Sequence, residues 1–289
     1  MARVTVRETP TSGANVPDRI AFSCFFLSGL LGLIYEIAWI KKASLVFGSA
    51  SYALSTVVAV FFGGLALGSF VFGRASAGID RPLRLYAKLE IALGALALAT
   101  PTLFALCDLA YGSVYPAAYE SFSSMTLLRL ALTSIAILPA TFLMGATLPL
   151  FCRQYVTQAT GISRSVGFLY GLNTLGAAVG CFLAGFILLP MLGVNTSIYA
   201  AGVLNVGIGV VIWSLARDTR AQGSTQKKTA KHSQGKREAS TGGNETAAAT
   251  ARQRGVVAFL FFVSGAVILA NEILWARFLT LLTRNTVYT

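Results

Sequence analysis

Four residues with charged or polar side chains lie inside long apolar stretches of this sequence: Glu36, Glu90, Arg129 and Asn173. An ionisable side chain inside a membrane is costly, so such a residue is a functional candidate by default. We treat the four residues as candidates for lining a substrate path. The alternative is that they only form hydrogen bonds between helices.

Glu36 shares one helical face with Gly29, Gly32 and Trp39, because these residues recur at a spacing of three or four. Small residues let a neighbouring helix approach, so we expect Glu36 to face the interior of a helix bundle. We predict that it pairs with one of three basic residues: Arg129, Lys41 or Lys42. The alternative is a glutamate at the membrane interface that reaches the lipid headgroups.

Glu90 follows Tyr86 by four residues, and on a helix the two side chains can share a face. Asn173 is expected at a comparable depth in the fifth apolar stretch, and Asn205 is expected near the middle of the sixth. These groups could line a substrate path. The other interpretation, hydrogen bonds between helices, stays open beside it.

Spacing alone indicates no enzyme site and no metal site. Four cysteines lie in or beside apolar stretches and form no CxxC pair, so they are expected to be packing residues: Cys24, Cys107, Cys152 and Cys181. The single histidine, His232, stands in a polar segment far from other ligand types. We therefore predict no catalytic residue, no metal and no cofactor in this chain.

The composition indicates an all-α integral membrane protein. Hydrophobic residues make up 55% of the 289 positions and charged residues 12%, whereas a soluble domain has about 25% charged residues. Much of the surface must therefore face lipid. The net charge of +12 is spread between apolar stretches and does not form one patch, so nucleic acid is not an expected partner.

A membrane-spanning helix needs about 20 apolar residues. Six stretches meet this length, and a seventh starts near Val256; the six are about 20–40, 52–73, 85–107, 125–151, 166–190 and 197–215. The pairs Gly64–Gly68 and Gly176–Gly180 have the GxxxG spacing that allows close helix packing. The sequence thus predicts a six-helix bundle plus a seventh helix.

Lysine and arginine are concentrated in alternate loops, which predicts a cytoplasmic N-terminus; the opposite side carries only Lys41 and Lys42. We predict a polar cytoplasmic tail over 1–19, a six-helix bundle over 20–216, a disordered basic cytoplasmic linker over 217–254 and the start of a second transmembrane repeat over 255–289. The basic linker would attract anionic lipid headgroups. The positive-inside rule alone is the alternative explanation of its charge.

The first helix recurs in the seventh without a gap. The signature of this repeat comprises Trp39 and Tyr52, which recur as Trp275 and Tyr288, and Glu36, which recurs as Glu272. Such a repeat implies two parallel six-helix halves, the plan of major facilitator transporters. Only one helix and a stub of the second half are present, so we expect this polypeptide to be part of something longer.

The segment after the second helix contains Arg74, Asp80, Arg81 and Arg84. It resembles the cytoplasmic loop that joins helices two and three in major facilitator transporters. The resemblance implies a structural loop in which aspartate and arginine contact helix ends.

Longer motifs resemble the opening of bacterial membrane proteins of the fused major facilitator/spermidine synthase family. They are Ser28-Gly-Leu-Leu-Gly-Leu-Ile-Tyr-Glu36-Ile-Ala-Trp39, Arg81-Pro-Leu-Arg-Leu-Tyr86-Ala-Lys-Leu-Glu90, Leu143-Met-Gly-Ala-Thr-Leu-Pro149 and Gly167-Phe-Leu-Tyr170-Gly-Leu-Asn173-Thr-Leu-Gly176. In that family the membrane helices precede a cytosolic aminopropyltransferase-like domain. None of the residues of that domain can be carried over to this chain.

The resemblance implies a membrane module of a spermidine synthase-like protein in the bacterial inner membrane. Such a module would anchor the protein and transport polyamine-type substrates, with the catalytic domain outside this chain. Two alternatives stay open: a stand-alone small-molecule transporter of the major facilitator type, and a structural membrane protein without transport.

Overall fold

The computed structural model describes residues 17–155, 162–216 and 244–282, and all the regular structure in these ranges is helical. The helices are α1 Asp18–Phe47, α2 Ala50–Ala75, α3 Pro82–Ala118, α4 Phe122–Tyr155, α5 Ile162–Leu183, α6 Val194–Leu215 and α7 Asn244–Leu282. A 3₁₀ turn, Ser76–Gly78, follows α2. A π-helical turn, Ala184–Leu188, and a last α-helical turn, Leu189–Leu192, extend α5.

Seven candidate membrane spans, one on each of these helices, are long and apolar enough to cross a bilayer. The shortest, Gly255–Trp275, has 21 residues and the longest, Pro82–Ala118, has 37, against the roughly 20 that a hydrocarbon core requires. The chain is therefore a multi-pass α-helical membrane protein by the length and composition of its helices.

The third and fourth helices are longer than the apolar stretches predict. α3 continues to Ala118, beyond the end of the apolar stretch near residue 107, and only a short turn separates it from α4. The extension carries an apolar side that includes Tyr111, which is buried in the bundle. Packing of that side stabilises helix beyond the point where the continuous apolar run ends.

The seventh helix also begins earlier than predicted. Helix α7 starts at Asn244, so the end of the predicted disordered linker over 217–254 is helical, and this boundary is corrected. The reason is local: residues 244–254 are rich in alanine, the best helix former. The remainder of the predicted linker and residues 1–16 of the predicted 1–19 tail lie outside the described residues, and α1 begins within that tail at Asp18.

Close helix packing occurs where the GxxxG spacing predicts it. A Cβ on Gly64 or Gly68 of α2 would collide with Thr141 or Phe142 of α4, and a Cβ on Gly180 of α5 would collide with the main chain of Leu30 in α1. Such contacts require helix backbones to touch. Both glycine pairs therefore lie in helix–helix interfaces, as predicted.

Aromatic and polar contacts define two ends of the bundle. At the α1–α2 end, Phe47 at the end of α1 packs on Tyr111 of α3, and Tyr52 near the start of α2 packs on Phe122 at the start of α4. At the α3–α6 end, Arg84 in the first turn of α3 donates a hydrogen bond to the main-chain oxygen of Ala216, just after α6.

Candidate functional site

Glu90 is fully buried and bonded to side chains of two other helices. Ser28 of α1 donates its hydroxyl to Oε1 at 2.7 Å, and Asn205 of α6 donates Nδ2 to Oε2 at 2.6 Å. The same Nδ2 also donates to the main-chain oxygen of Glu90 at 2.9 Å. The carboxyl group of Glu90 therefore joins three helices inside the bundle, and we call Ser28, Tyr86, Glu90 and Asn205 the Glu90 cluster.

Glycines on both helices bring Asn205 within reach of Glu90. A Cβ on Gly94 of α3 would lie 2.7 Å from the main-chain oxygen of Gly202, and a Cβ on Gly209 of α6 would lie 2.7 Å from that of Ala87. The two close approaches lie on either side of the Glu90–Asn205 contact along the helices. Because the backbones of α3 and α6 nearly touch there, the short asparagine side chain spans the gap.

Two further polar atoms of the Glu90 cluster are buried beside the carboxyl group. They are Oδ1 of Asn205, which has no hydrogen-bond partner in the described part of the chain, and the hydroxyl of Tyr86, which lies against the carboxyl group of Glu90. The ring of Tyr86 packs edge-on against Phe151, with ring centroids 4.7 Å apart. Buried polar atoms are normally bonded, so Oδ1 of Asn205 can still accept a hydrogen bond beside the carboxyl group, and the oxygen of Tyr86 can accept one as well.

Within the described residues, Glu90 accepts hydrogen bonds from neutral groups, among them the hydroxyl of Ser28 and the amide of Asn205. The nearest basic residue in sequence, Lys88, is exposed and lies 5.6 Å from the ring centre of Trp213. A buried carboxylate without a cation is expensive. One positive charge, carried by a proton or by a cationic ligand, would neutralise the carboxylate of Glu90.

The predicted ion pair of Glu36 is wrong. Glu36 is buried, with 3% of its surface exposed, but Arg129 bonds the hydroxyl of Tyr111 and lies over the ring of Tyr52. Within the described residues, the structure gives no ion pair between Glu36 and Arg129, Lys41 or Lys42. The burial predicted for Glu36 is confirmed, and the predicted ion pair is not formed among the residues that the structure describes.

The physical reason is depth along the bundle. Trp39 of α1 donates its indole N–H to Thr100 of α3 at 3.0 Å, which places the Glu36 turn of α1 beside the Thr100 region of α3. Tyr111, the partner of Arg129, lies 11 residues further along α3, or about 16 Å at 1.5 Å per residue. Lys41 and Lys42 follow Glu36 by five and six residues and point to other faces of α1.

Asn173 is half-buried on α5, where it lies against α1. Its Oδ1 would be 2.7 Å from a Cβ on Gly29, so it packs beside the residue that follows Ser28. The structure gives no hydrogen bond between Asn173 and Glu90 in the described ranges. Of the four predicted path residues, two have side-chain partners on two other helices in the described ranges: Glu90 bonds Ser28 and Asn205, and Arg129 contacts Tyr111 and Tyr52.

Ser28 was not predicted as a site residue, although it bonds the buried carboxyl group. A signal was present in the sequence, because Ser28 belongs to the repeat and recurs as Ser264. The sequence pattern places Asn205 and Tyr86 among the polar groups of the bundle interior. Their contact with Glu90 depends on how α3 and α6 are rotated relative to each other, and the residue pattern of a single helix does not contain this information.

The residues of the predicted structural loop behave differently from one another. Arg84 contacts the end of α6 through its bond to Ala216, the type of helix-end contact that the resemblance implies. Arg74, Asp80 and Arg81 are exposed, and the guanidinium of Arg74 lies 3.9 Å from the ring centre of Phe70.

The residues of the repeat signature have different environments in the two copies. Trp39 is buried and hydrogen-bonded, whereas Trp275 is 62% exposed. Glu36 is buried and Glu272 is exposed. Tyr52 lies under Arg129, and Tyr288 lies outside the described residues.

A search of the described ranges finds no group of three histidine, cysteine, aspartate or glutamate residues able to hold a metal ion. Comparison of the chain with protein-family models, curated proteins and solved structures finds no match. The fold and the site together define a class, a multi-pass helical membrane protein with a buried carboxyl group among its helices. Any assignment beyond that class rests on the sequence motifs and on the Glu90 cluster.

Proposed function

We propose that this chain is the membrane module of a membrane-bound spermidine synthase-like protein, which anchors that protein and transports polyamine-type cations. In this proposal α1 to α6 form a major-facilitator-like half, and α7 begins a second repeat. The N-terminus lies in the cytoplasm of a bacterial cell with the module in the inner membrane, where the basic 217–254 segment meets anionic lipids. The motifs around Glu36, Glu90 and Asn173 support the family assignment.

One observation carries the transport part of the proposal: Glu90 is 0% exposed and its hydrogen-bond donors are neutral. A primary ammonium has three N–H donors and one positive charge. The carboxylate of Glu90 would neutralise the charge, and Oδ1 of Asn205 and the hydroxyl of Tyr86 would accept the remaining hydrogen bonds. Polyamines and diamines carry such ammonium groups, which is why this class of substrate fits best.

The environment of α1 supports the two-half plan. Several repeated residues are the ones that α1 uses for interhelical contacts: Ser28 bonds Glu90, Gly29 packs on Asn173, and Trp39 bonds Thr100. Their counterparts on α7 include Trp275, which is mostly exposed. A second half-bundle would cover α7 as α2 to α6 cover α1.

The test is uptake of radiolabelled putrescine or spermidine into vesicles that contain the purified protein. Glu90→Gln should lower the apparent substrate affinity about 10–100-fold, because a hydrogen bond to a charged group contributes about 1.5–3 kcal/mol and each 1.4 kcal/mol is tenfold. Glu120→Gln is the matched control, since Glu120 is an exposed glutamate in the turn before α4. Circular dichroism confirms that both variants are folded.

Equal uptake by the wild type, Glu90→Gln and Glu120→Gln would refute the assignment of Glu90. A specific observation favours the structural alternative as second candidate: the Glu90 cluster ties α1, α3 and α6 together. That alternative predicts no polyamine flux above empty vesicles and a lower melting temperature for Glu90→Gln. A stand-alone transporter predicts the flux without any aminopropyltransferase activity in the native protein.

A further inference from the structure

A second buried charge lies at the α1–α2 end of the bundle, far from Glu90. Arg129 of α4 is 8% exposed. Its Nε and Nη2 donate to the hydroxyl of Tyr111 at 3.2 and 3.0 Å, and its guanidinium carbon lies 4.2 Å from the ring centre of Tyr52. These partners are neutral, and the described part of the chain provides no carboxylate contact to the guanidinium. The positive charge of Arg129 is therefore buried without an anion.

The geometry leaves Arg129 with donors to spare. A guanidinium has five N–H groups in a planar fork, and the single hydroxyl of Tyr111 accepts from only two of its nitrogens. A planar fork of this kind matches the paired oxygens of a phosphate group. Because Tyr111 and Tyr52 hold the guanidinium in place, little side-chain freedom remains to be lost when an anion binds.

The start of α2 adds to the positive potential at the same place. Tyr52, whose ring lies under the guanidinium, is in the first turn of α2, which begins at Ala50. Ser49 precedes this helix without a side-chain capping hydrogen bond, and the first turn contains no acidic residue. The first N–H groups of a helix have no partner within it and favour an anion. Here they support a site that Arg129 already defines.

The distance from Glu90 indicates the depth of this second site. Tyr111 follows Glu90 by 21 residues on the same helix, which corresponds to about 31 Å at 1.5 Å per residue. That length is about the thickness of a hydrocarbon core. Exposed tyrosines continue beyond it at Tyr115 on α3 and at Tyr119 just after its end, and tyrosine is enriched at the membrane interface. Arg129 thus lies at the level expected for lipid headgroups, one membrane thickness from Glu90.

We infer that Arg129, with Tyr111 and Tyr52, forms a binding site for a phosphate-type oxyanion at the α1–α2 end of the bundle. The phosphate is either that of a lipid headgroup or a free phosphate ion from the adjacent water. The site is separate from the proposed cation site at Glu90 and does not depend on it. A bound phosphate neutralises the buried charge and holds α2, α3 and α4 together.

The experiment measures the melting temperature of the purified full chain in detergent, without addition and with each of three additions: dioleoylphosphatidylglycerol, dioleoylglycerol or inorganic phosphate. Dioleoylglycerol has the same acyl chains without the phosphate. The wild type should be stabilised by several degrees by the phospholipid or by inorganic phosphate, and not by dioleoylglycerol. Stabilisation by the phospholipid alone identifies a headgroup site, and stabilisation by inorganic phosphate identifies a soluble ion.

Arg129→Gln should abolish the stabilisation, whereas Arg74→Gln, which changes an exposed arginine, should keep it. If Arg129→Gln does not fold, Arg129→Lys provides the comparison, because it keeps the charge and loses the fork. Its apparent affinity for the stabilising phosphate should fall at least about tenfold, the effect of about 1.4 kcal/mol. An unshifted wild type, or a variant at Arg129 that responds like the wild type, would overturn the assignment.

Discussion

Replacing Gly68 by alanine tests whether α2 and α4 pack backbone against backbone. A Cβ on Gly68 would collide with the main-chain oxygen of Phe142, lie 3.0 Å from its carbonyl carbon and lie 3.1 Å from the Cα of Gly145. These atoms belong to a helix backbone, so no side-chain rotation can relieve the overlap. The two helices must separate, which also stretches the 2.7 Å hydrogen bond from Ser69 to the main-chain oxygen of Gly145.

The expected size of the effect follows from three contributions. Overpacking of a tight interface costs about 1–3 kcal/mol, and a weakened hydrogen bond costs about 1 kcal/mol. The higher helix propensity of alanine offsets up to about 1 kcal/mol of this loss in unfolding free energy, because glycine is the poorer helix former. We therefore expect Gly68→Ala to lower the free energy of unfolding by about 2 kcal/mol.

Gly63→Ala is the matched control on the same helix, because a Cβ there meets no atom within 4 Å. It should be neutral or stabilise the protein by up to about 1 kcal/mol. Equilibrium unfolding of the purified protein in mixed micelles, followed by circular dichroism, measures both variants. Equal stabilities for Gly68→Ala and Gly63→Ala would show that the helices do not approach as closely as the structure has them.

Two further predictions concern buried polar contacts. Trp39→Phe removes the donor to Thr100 and should lower the free energy of unfolding by about 1 kcal/mol. Trp275→Phe, at the exposed repeat position, should change the free energy of unfolding by less than about 0.5 kcal/mol. Equal losses of the two variants in thermal unfolding would contradict the assigned environments. Asn205→Ala removes one of the side-chain donors to the Glu90 carboxylate and should cost about 1.5–3 kcal/mol. In a Glu90→Gln background, the loss of unfolding free energy caused by Asn205→Ala should be smaller by at least about 0.5 kcal/mol. A double-mutant cycle without coupling would contradict the hydrogen bond between Asn205 and Glu90.

Much of the architecture could be predicted because it depends on properties of single segments. A run of about 20 apolar residues is recognisable by itself, and the spacing of Gly64 and Gly68 places both on one side of a helix. The start of α7 could not be predicted in this way, since the basic, alanine-rich stretch after Asn244 has the composition of a linker and also a high helix propensity.

For the candidate site, too, some features could be predicted from single segments and others could not. The sequence by itself determined that Glu36 and Glu90 are carboxyl groups within membrane-length apolar segments, and that small residues share a face with Glu36. Only the tertiary structure decided that Glu90 bonds Ser28 and Asn205 and that Arg129 bonds Tyr111 instead of Glu36. The physical reason is that helical periodicity defines the face of one helix, whereas the offset and rotation between two helices result from packing of residues far apart in the chain.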